Sequence, residues 1–305
     1  MKVTYLSYPF KNPIHFVESS IAIGNFDGIH KGHQKVIKTA IEKSKKYQLQ
    51  SGVMTFYPHP KEVLGKTGVT SITPLEDKLR IFGELGVDVC YVVEFNEAFA
   101  KITKDMFIHD FLIPLKVLAV TVGFDFHFGR FGQGNPEDFI TAKRFLSVDI
   151  IESIDANHEK ISSTNIRSLI KSGGIEHANF MLGRNHKIRC EPVEVYERNR
   201  LMNISHYSLK CKVSQGFAFP KSGSYTTIIK KSNEILWGIA SFSNVENESD
   251  QSDLEMMELD IVGDLDFTKP YLEVYLLQRV NVSVDTEIKQ RYINFVYEEH
   301  LSMRV

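Results

Sequence analysis

The sequence has few cysteines, no long apolar run and almost no net charge. Cys90, Cys190 and Cys211 are its three cysteines, and they form no C-x-x-C pair. Their scatter argues against a disulfide framework and against a cysteine-based zinc site. No signal peptide is recognisable and no run approaches about 18 apolar residues, so we expect a cytoplasmic protein without a membrane span. The formal net charge of −2 does not indicate nucleic acid or an anionic membrane as a partner.

What is present is the composition of a globular protein large enough for two domains. The chain has 305 residues, of which 43% are hydrophobic and 24% are charged. The residue pattern changes between 183 and 190. We therefore predict one domain over residues 1–184 and a second over residues 185–305, and nothing in the sequence indicates an oligomeric state.

The first predicted domain alternates strand patterns with helix patterns. Buried strands are predicted at 21–23, 52–57, 87–93, 117–122 and 148–152, and helices after residue 33 and at 75–86, 102–115 and 136–146. This alternation predicts a doubly wound, Rossmann-like α/β domain with a mostly parallel sheet. Ligands in such folds bind beyond the carboxyl ends of the strands, and turn-forming segments follow three of these strands at Gly24, Pro58 and Gly123.

The second predicted domain has short runs of β-branched and aromatic residues with little helical period. Examples lie at 225–229, 236–240 and 271–277. They predict an antiparallel β-barrel. A polar, acidic segment at 244–253 predicts a mobile loop, and residues 286–300 predict a terminal helix.

A glycine-rich turn between the first buried strand and the first helix is the strongest candidate site. It contains Asn25 and Asp27, and His30 and His33 follow at the start of the helix. Main-chain N–H groups and the positive end of the helix dipole favour a phosphate there. The histidines can donate hydrogen bonds to oxygens whose charge grows in a transition state, and Gly32 lets the backbone approach a nucleotide. Two exposed helix histidines are the alternative; a metal site is less well supported, because no further ligands are spaced for one.

A second segment, Ile161-Ser-Ser-Thr-Asn-Ile-Arg167, precedes an amphipathic helix pattern. Ser162, Ser163 and Thr164 can cap this helix and direct hydroxyl and N–H groups at an anion. Arg167, one turn later, offers a bidentate phosphate clamp. Taken alone, the segment is equally typical of a serine-rich N-cap followed by a solvated arginine.

Together the two segments resemble the nucleotidyltransferase superfamily with an H-x-G-H motif and a distal S-S-T-x-x-R motif. Four segments in order are similar to the adenylyltransferase half of the bacterial bifunctional riboflavin kinase/FAD synthetases: 24–33, 57–60, 122–129 with 132–135, and 161–167. The resemblance extends from about residue 18 to residue 184. An aromatic-rich core loop is the alternative interpretation of the segment at 123–129.

The resemblance implies the reaction FMN + ATP → FAD + pyrophosphate, with Mg²⁺ and without a metal site made by the protein. It assigns His30 and His33 to the triphosphate and the transition-state oxygens, with Asn25 in support and Arg167 on the β- and γ-phosphates. The other residues it assigns to ATP are Gly24, Phe26, Asp27, Gly28, Gly32, Ser162, Ser163 and Thr164. The residues it assigns to FMN are Pro58, His59, Asp125, Phe126 and Phe128. Tyr57 departs from the family, which more often carries an acidic residue there.

The second domain departs from the family pattern at its kinase motif. The family's riboflavin kinase carries G-F-P-T-A-N, whose Thr and Asn ligate Mg²⁺-ATP, but residues 189–213 contain no P-T-A-N. Residues 220–225 and 272–277 resemble the later kinase strands, which makes Glu273 the counterpart of the kinase base. We therefore predict a degenerate kinase domain; the alternative is a diverged active kinase in which Asn203 and Ser205 replace the lost ligands.

Three other functions remain open from the sequence. The first is a bifunctional enzyme with that diverged kinase site. The second is nucleotidyl transfer to a different phosphorylated acceptor, against which the flavin-like segment at 123–129 argues. The third is a non-catalytic flavin- or nucleotide-binding regulator, which would not need groups directed at a transition state.

Overall fold

A computed structural model describes residues 1–9, 16–65, 70–156, 159–201, 204–214, 216–231, 234–243, 256–263 and 271–280. Contacts divide the chain into two compact units, Met1–Ser163 and Thr164–Val305. The domain boundary at 184/185 stays a prediction. The predicted loop at 244–253, the predicted helix at 286–300 and Asn203 lie outside the described residues.

The first unit is built on a parallel sheet, as predicted, with six strands where the sequence indicated five. Its strands are β1 (Lys2–Leu6), β2 (Ser19–Ile23), β3 (Gln50–Tyr57), β4 (Val89–Glu94), β5 (Val117–Gly123) and β6 (Ser147–Ile151). Their order in the sheet is β1-β4-β3-β2-β5-β6, and every neighbouring pair is parallel. The chain therefore adds strands on one side of β2 and then crosses to the other side at β5. In open α/β sheets such a reversal opens a crevice at the carboxyl ends of the two strands.

Helices lie between these strands in the order α1 (Lys31–Tyr47), α2 (Pro60–Val63), α3 (Leu75–Glu84), α4 (Glu97–Ala100), α5 (Lys104–Met106) and α6 (Pro136–Thr141). A π-helical segment, Phe107–Leu112, continues α5, and a 3₁₀ turn spans Arg130–Gly132. Two short strands, β7 (Asp155–Ala156) and β8 (Glu159–Lys160), follow the sheet. The helix predicted at 136–146 is too long, because Lys143 has a φ of 49°, which a right-handed helix does not accommodate.

Apolar side chains cover both faces of the sheet. On one face, Ile37, Ala40 and Phe82 from α1 and α3 pack on Ala22 and Val53, all of them buried. On the other face of the sheet, the strand side chains pack in an aromatic-rich cluster that includes Phe107, Phe111, Phe128 and Phe139. Burial on both faces explains why the strands are continuous apolar runs rather than alternating ones.

The second unit contains α7 (Ser163–Ser172), which begins at the last residue of the first unit, and α8 (Ile175–Leu182). The strands β9 (His186–Leu201), β10 (Ile204–Val213), β11 (Gly223–Lys231), β12 (Glu234–Phe242), β13 (Met256–Val262) and β14 (Leu272–Val280) close into a barrel in the order β10-β13-β12-β11-β14-β9. The described pairings are antiparallel, so the predicted antiparallel barrel is confirmed. Asn179 of α8 donates to the main-chain oxygens of Leu276 and Leu277 at 2.9 and 3.2 Å, which fastens the helix to β14. No helix in the described part of the chain is long and apolar enough to span a membrane.

Candidate active site

The glycine-rich turn follows β2 directly and is tightly wound. The Gly24 amide donates to the main-chain oxygen of Met54 at 3.1 Å, which keeps the start of the turn beside β3. Phe26, Gly28 and Ile29 then adopt positive φ values of 51°, 88° and 38°. At 88° only glycine is unstrained, so Gly28 is required by the backbone. This compact reversal brings the chain to the start of α1 within seven residues of the strand end.

The two predicted catalytic histidines are in direct contact at the start of α1. His30 is the N-cap residue, and its Nδ1 accepts the main-chain N–H of His33 at 3.3 Å. The two rings stack with centroids 3.6 Å apart and planes 19° from parallel. Because Nδ1 is an acceptor, the neutral His30 ring carries its proton on Nε2. The N-terminal turn of α1 adds main-chain N–H groups and the positive dipole end.

Gly32 lies between the histidines with no room for a side chain. A Cβ atom there would meet Cε1 and Nδ1 of His30 at 3.2 Å. A larger residue would therefore displace the His30 ring from its stack. The need predicted for glycine in this motif has a steric cause within the protein itself.

Phe26 supports the histidines from inside the protein. Its ring is 3% exposed and meets the His33 ring edge-on at a centroid distance of 5.3 Å. The other side of Phe26 packs edge-on against Phe82 of α3 at 5.9 Å. The family resemblance assigns Phe26 to ATP; the structure places its ring in the core, against His33.

Asp27 and the Asn25 carbonyl attach the turn to the rest of the sheet. The Asp27 carboxylate, 3% exposed, accepts the main-chain N–H groups of Ile72 and Thr73 at 3.0–3.2 Å. The main-chain oxygen of Asn25 accepts the Thr55 hydroxyl and the Lys78 ammonium group, both at 3.0 Å. These bonds fix the backbone that carries the Asn25 side chain, whose Oδ1 is buried and has no hydrogen-bond partner.

Sequence reasoning missed Thr55 and Lys78 as supports of the turn backbone. One signal for Lys78 was available: it lies three residues after Leu75 and four before Phe82, on the apolar face of the predicted helix. A charged residue on a buried face needs a polar partner, and Lys78 is 5% exposed. Thr55 gave no such signal, since a threonine in a buried strand is ordinary.

The distal serine-rich segment reaches the glycine-rich turn. Ser163 donates from Oγ to the main-chain oxygen of Asp27 at 2.8 Å, across 136 positions of sequence. Ile161 just before it is buried and donates its amide to the Ile154 carbonyl at 3.0 Å. Ser162 is half-buried, and α7 begins at Ser163, within the group of three candidate capping residues. Thr164 is exposed and Arg167 half-buried in that helix, and both belong to the second unit.

The segment that was assigned to FMN follows β5, next to β2 at the reversal in strand order. The rings of Phe126, Phe128 and Phe139 form a stack. The distance between ring centroids is 5.9 Å for Phe126 and Phe128 and 4.5 Å for Phe128 and Phe139. Phe128 is 6% exposed and Phe126 is half-buried, so Phe128 is a core residue here. Asp125 is exposed and pairs with Lys160 at 3.5 Å.

Pro58 and His59 follow β3, whose carboxyl end neighbours that of β2. Both residues are half-buried, and Tyr57 before them is 54% exposed. His59 is the N-cap residue of α2 and accepts the Lys61 amide through Nδ1 at 3.1 Å. Three of the four segments predicted to carry the site therefore lie at carboxyl ends of adjacent strands.

In the barrel, the carboxylate of Glu273 is already engaged. Lys187 of β9, whose side chain is 8% exposed, donates to Glu273 Oε1 at 2.6 Å. The hydroxyl of Tyr275 donates to Glu273 Oε2 at 3.1 Å. Ser205, one of the two proposed replacement ligands, is buried in β10. Among the described residues no group of three or more His, Cys, Asp or Glu side chains is arranged to hold a metal.

Comparison with known proteins identifies relatives of one family. The family model described as FAD synthetase matches residues 14–165. A bifunctional riboflavin kinase/FMN adenylyltransferase of Listeria monocytogenes is 35% identical over 83% of this chain and 81% of its own length. A protein named FAD synthetase from the same organism is 30% identical over 68% of this chain and 80% of its own length.

A solved structure has the same fold. The crystal structure described as a macrolide-efflux protein from Streptococcus pneumoniae superposes with a TM-score of 0.79 and covers 98% of both chains at 22% identity. At that identity the likeness concerns the fold alone. The family match and the identity to the bifunctional relative over most of both chains show the family. The chain belongs to the FAD synthetase family and is a nucleotidyltransferase of the riboflavin kinase/FMN adenylyltransferase type.

Proposed function

We propose that the enzyme transfers the adenylyl group of ATP to FMN, giving FAD and pyrophosphate, and that its kinase-like barrel has lost riboflavin kinase activity. The observation that carries the first part is the hydrogen bond from Ser163 to the Asp27 carbonyl at 2.8 Å. It brings the start of the serine-rich motif against the turn that holds both histidines. Family membership and the flavin names of the relatives support FMN as the acceptor.

The reaction requires little of the protein beyond positioning and charge stabilisation. A phosphate oxygen of FMN attacks the α-phosphorus of ATP, a new P–O bond forms, and the bond to the bridging oxygen breaks as pyrophosphate leaves. The nucleophile is already anionic, so no serine, cysteine or strong base is needed. His30 donates from Nε2 to a phosphate oxygen whose charge grows in the transition state, and the N–H groups at the start of α1 act in the same direction.

The remaining assignments follow the resemblance. Ser162, Ser163, Thr164 and Arg167 hold the β- and γ-phosphates, while Pro58, His59, Asp125 and Phe126 face FMN. Phe128 acts from the core, by holding the ring of Phe126 in its stack. Asp27 contributes to ATP binding through its main chain, which accepts the Ser163 hydroxyl, and through its side chain, which holds the turn in position.

Magnesium enters with the nucleotide in this proposal. Mg²⁺ in nucleotide enzymes is commonly held by substrate phosphates, waters and one or two carboxylates rather than by a dedicated protein cage. The ion would neutralise charge on the triphosphate, and the histidines and Arg167 would act on the oxygens that it leaves open.

Two observations support loss of the kinase activity. The barrel sequence at 189–213 lacks the P-T-A-N ligands. In the structure β9 and β10 pair through that region, from the pair Cys190 and Val213 to the pair Leu201 and Ile204. Glu273, the counterpart of the kinase base, has one carboxylate oxygen paired with Lys187 and the other with Tyr275. A carboxylate neutralised by a close ammonium group is a poorer proton acceptor than an open one.

The test offers one acceptor at a time. Pyrophosphate release from MgATP is measured with FMN, riboflavin or a phosphorylated pantetheine, and flavin products are separated by chromatography. The proposal predicts pyrophosphate and FAD with FMN alone, and no FMN from riboflavin. FMN formation from riboflavin at an enzymatic rate would contradict the lost kinase, while turnover with another acceptor but not FMN would contradict the adenylyltransferase assignment.

A further inference from the structure

Lys78 is a buried cation directly behind the glycine-rich turn. It projects from α3, is 5% exposed, and donates from Nζ to the main-chain oxygen of Asn25 at 3.0 Å. Burial lowers the pKa of Lys78, and the negative charge of Asp27 acts in the opposite direction. A buried ammonium group is costly to desolvate, so its retention at this position needs a reason.

The segment before α3 and the turn hold each other at several points. The amides of Ile72 and Thr73 donate to the Asp27 carboxylate, and Lys78 reaches the preceding peptide of the same turn. Asp27 is in turn the residue whose main-chain oxygen accepts Ser163. Ser163 and Lys78 therefore both bond to main-chain oxygens of the turn that leads to His30.

We propose that Lys78 is a positioning residue for adenylyl transfer: its ammonium group fixes the Asn25 peptide and balances the buried charge of Asp27, so that the turn can receive a triphosphate. The inference rests on the proposed function and adds a residue that touches neither substrate. Without the cation, the negative charge of the buried Asp27 carboxylate would be less well balanced beneath a site for a polyanion. Coulomb repulsion in this poorly solvated region would then weaken ATP binding.

Thr55 provides the matched control. Its hydroxyl donates to the same Asn25 oxygen at the same distance of 3.0 Å, but it carries no charge. Thr55→Val removes one of the two hydrogen bonds and leaves the Asp27–Lys78 balance in place. Lys78→Met removes the other bond and the charge together, in a side chain of similar length.

A double variant separates the charge effect from a loss of folding. Asp27→Asn combined with Lys78→Met leaves no unbalanced buried charge, and the amide oxygen of the new side chain still accepts a main-chain N–H. If Lys78→Met destabilises the protein too far to assay, the double variant still gives the comparison with wild type. Thermal unfolding of every variant establishes the folded fraction used to normalise the rates.

The experiment measures kcat and KM for ATP and for FMN by pyrophosphate release. We expect Lys78→Met to raise KM for ATP about tenfold and to lower kcat about tenfold, with KM for FMN within about threefold of wild type. Thr55→Val should stay within about threefold in all three constants, and the double variant should recover KM for ATP but not kcat.

Three results would overturn the proposal in distinguishable ways. Equal constants for Lys78→Met and Thr55→Val would remove the role of the charge. The charge balance with Asp27 would be ruled out if the double variant had a KM for ATP no lower than that of Lys78→Met. Where Lys78→Met does not fold, a KM for ATP in the double variant that differs from the wild-type value would rule it out. A wild-type enzyme that releases no pyrophosphate with FMN would overturn the proposed function itself, and this role with it.

Discussion

The Nδ1 atom of His30 accepts the main-chain N–H of His33 at 3.3 Å, while the two rings stack 3.6 Å apart. One ring nitrogen of His30 is thus used to begin α1, and the other is the donor that our account assigns to the substrate. In the proposed mechanism the same residue therefore caps the helix and serves the chemistry. This dual use explains why both the spacing of three and the glycine between the histidines are needed.

Replacing His30 by Ala should lower turnover more than it weakens FMN binding. Loss of one preorganised donor to a transition-state oxygen typically costs about 100-fold in kcat, and we expect that magnitude here. Steady-state pyrophosphate release and flavin fluorescence titration measure the two quantities. His109→Ala, at an exposed histidine of the π-helical segment, is the control. Equal turnover of His30→Ala and wild type would remove the catalytic assignment.

Replacing Gly32 by Ala should displace the His30 ring, because the added Cβ would lie 3.2 Å from two of its atoms. Misplacement of a catalytic group by a fraction of an ångström lowers rate without unfolding the protein, and we expect about a tenfold loss in kcat. Gly83→Ala is the matched control, since its Cβ meets no atom closer than 3.9 Å in a helix. That control should keep its activity and gain up to about 1 kcal/mol of stability. Indistinguishable rates for the two variants would refute the steric argument.

Replacing Ser163 by Ala should loosen the link between the serine-rich motif and the turn. The variant loses the hydrogen bond to the Asp27 carbonyl, a contribution of about 1 kcal/mol to the free energy of unfolding. We expect KM for ATP to rise several-fold, because the hydroxyl also lies at the start of the proposed phosphate clamp. Ser172→Ala removes a hydroxyl that bonds within the same helix, to the Leu169 oxygen, and should leave KM unchanged. An unchanged KM for ATP in Ser163→Ala would show that the link does not serve nucleotide binding.

Acid should weaken the junction between β3 and β4. Hydrogen bonds from the hydroxyl and the amide of Ser51 hold the pKa of Asp88 below its ordinary value of 3.8. Because the folded pKa is depressed, this stabilisation is present above 3.8 and is lost as the pH falls through the folded value. Ser51→Ala should therefore lower the free energy of unfolding by about 1 kcal/mol at pH 7 and by less below pH 4. Urea denaturation across that range measures it, and a constant difference would contradict the linkage.

Much of the fold could be predicted because local pattern and tertiary burial agree. The apolar runs at 21–23 and 117–122 are strands buried on both faces, and the turn signals at Gly24 and Gly123 do mark their carboxyl ends. The helix predicted at 136–146 ends early, at Thr141, and the positive φ of Lys143 beyond it is not reported by periodicity. Cys190 and Cys211 look scattered in sequence, yet both are buried in the barrel on paired strands.

The candidate site was predictable in its motifs but not in its supports. His30, Gly32 and Ser163 lie where the motifs imply, at a helix start and against the turn. The bonds from Thr55 and Lys78 to the Asn25 carbonyl depend on how β3 and α3 pack, which no spacing in the sequence records. For the same reason the sequence could not show that Phe128 lies in the core while Phe126 is only half-buried.

The most direct test of the central claim follows the α-phosphorus of ATP. The purified enzyme is incubated with MgATP labelled at the α-phosphate and with FMN, and the flavins and phosphates are then separated. Our account predicts that the label appears in FAD in equal amount to unlabelled pyrophosphate, and that His30→Ala slows both together. Label that remains in AMP or ADP while FMN is unchanged would contradict adenylyl transfer at this turn.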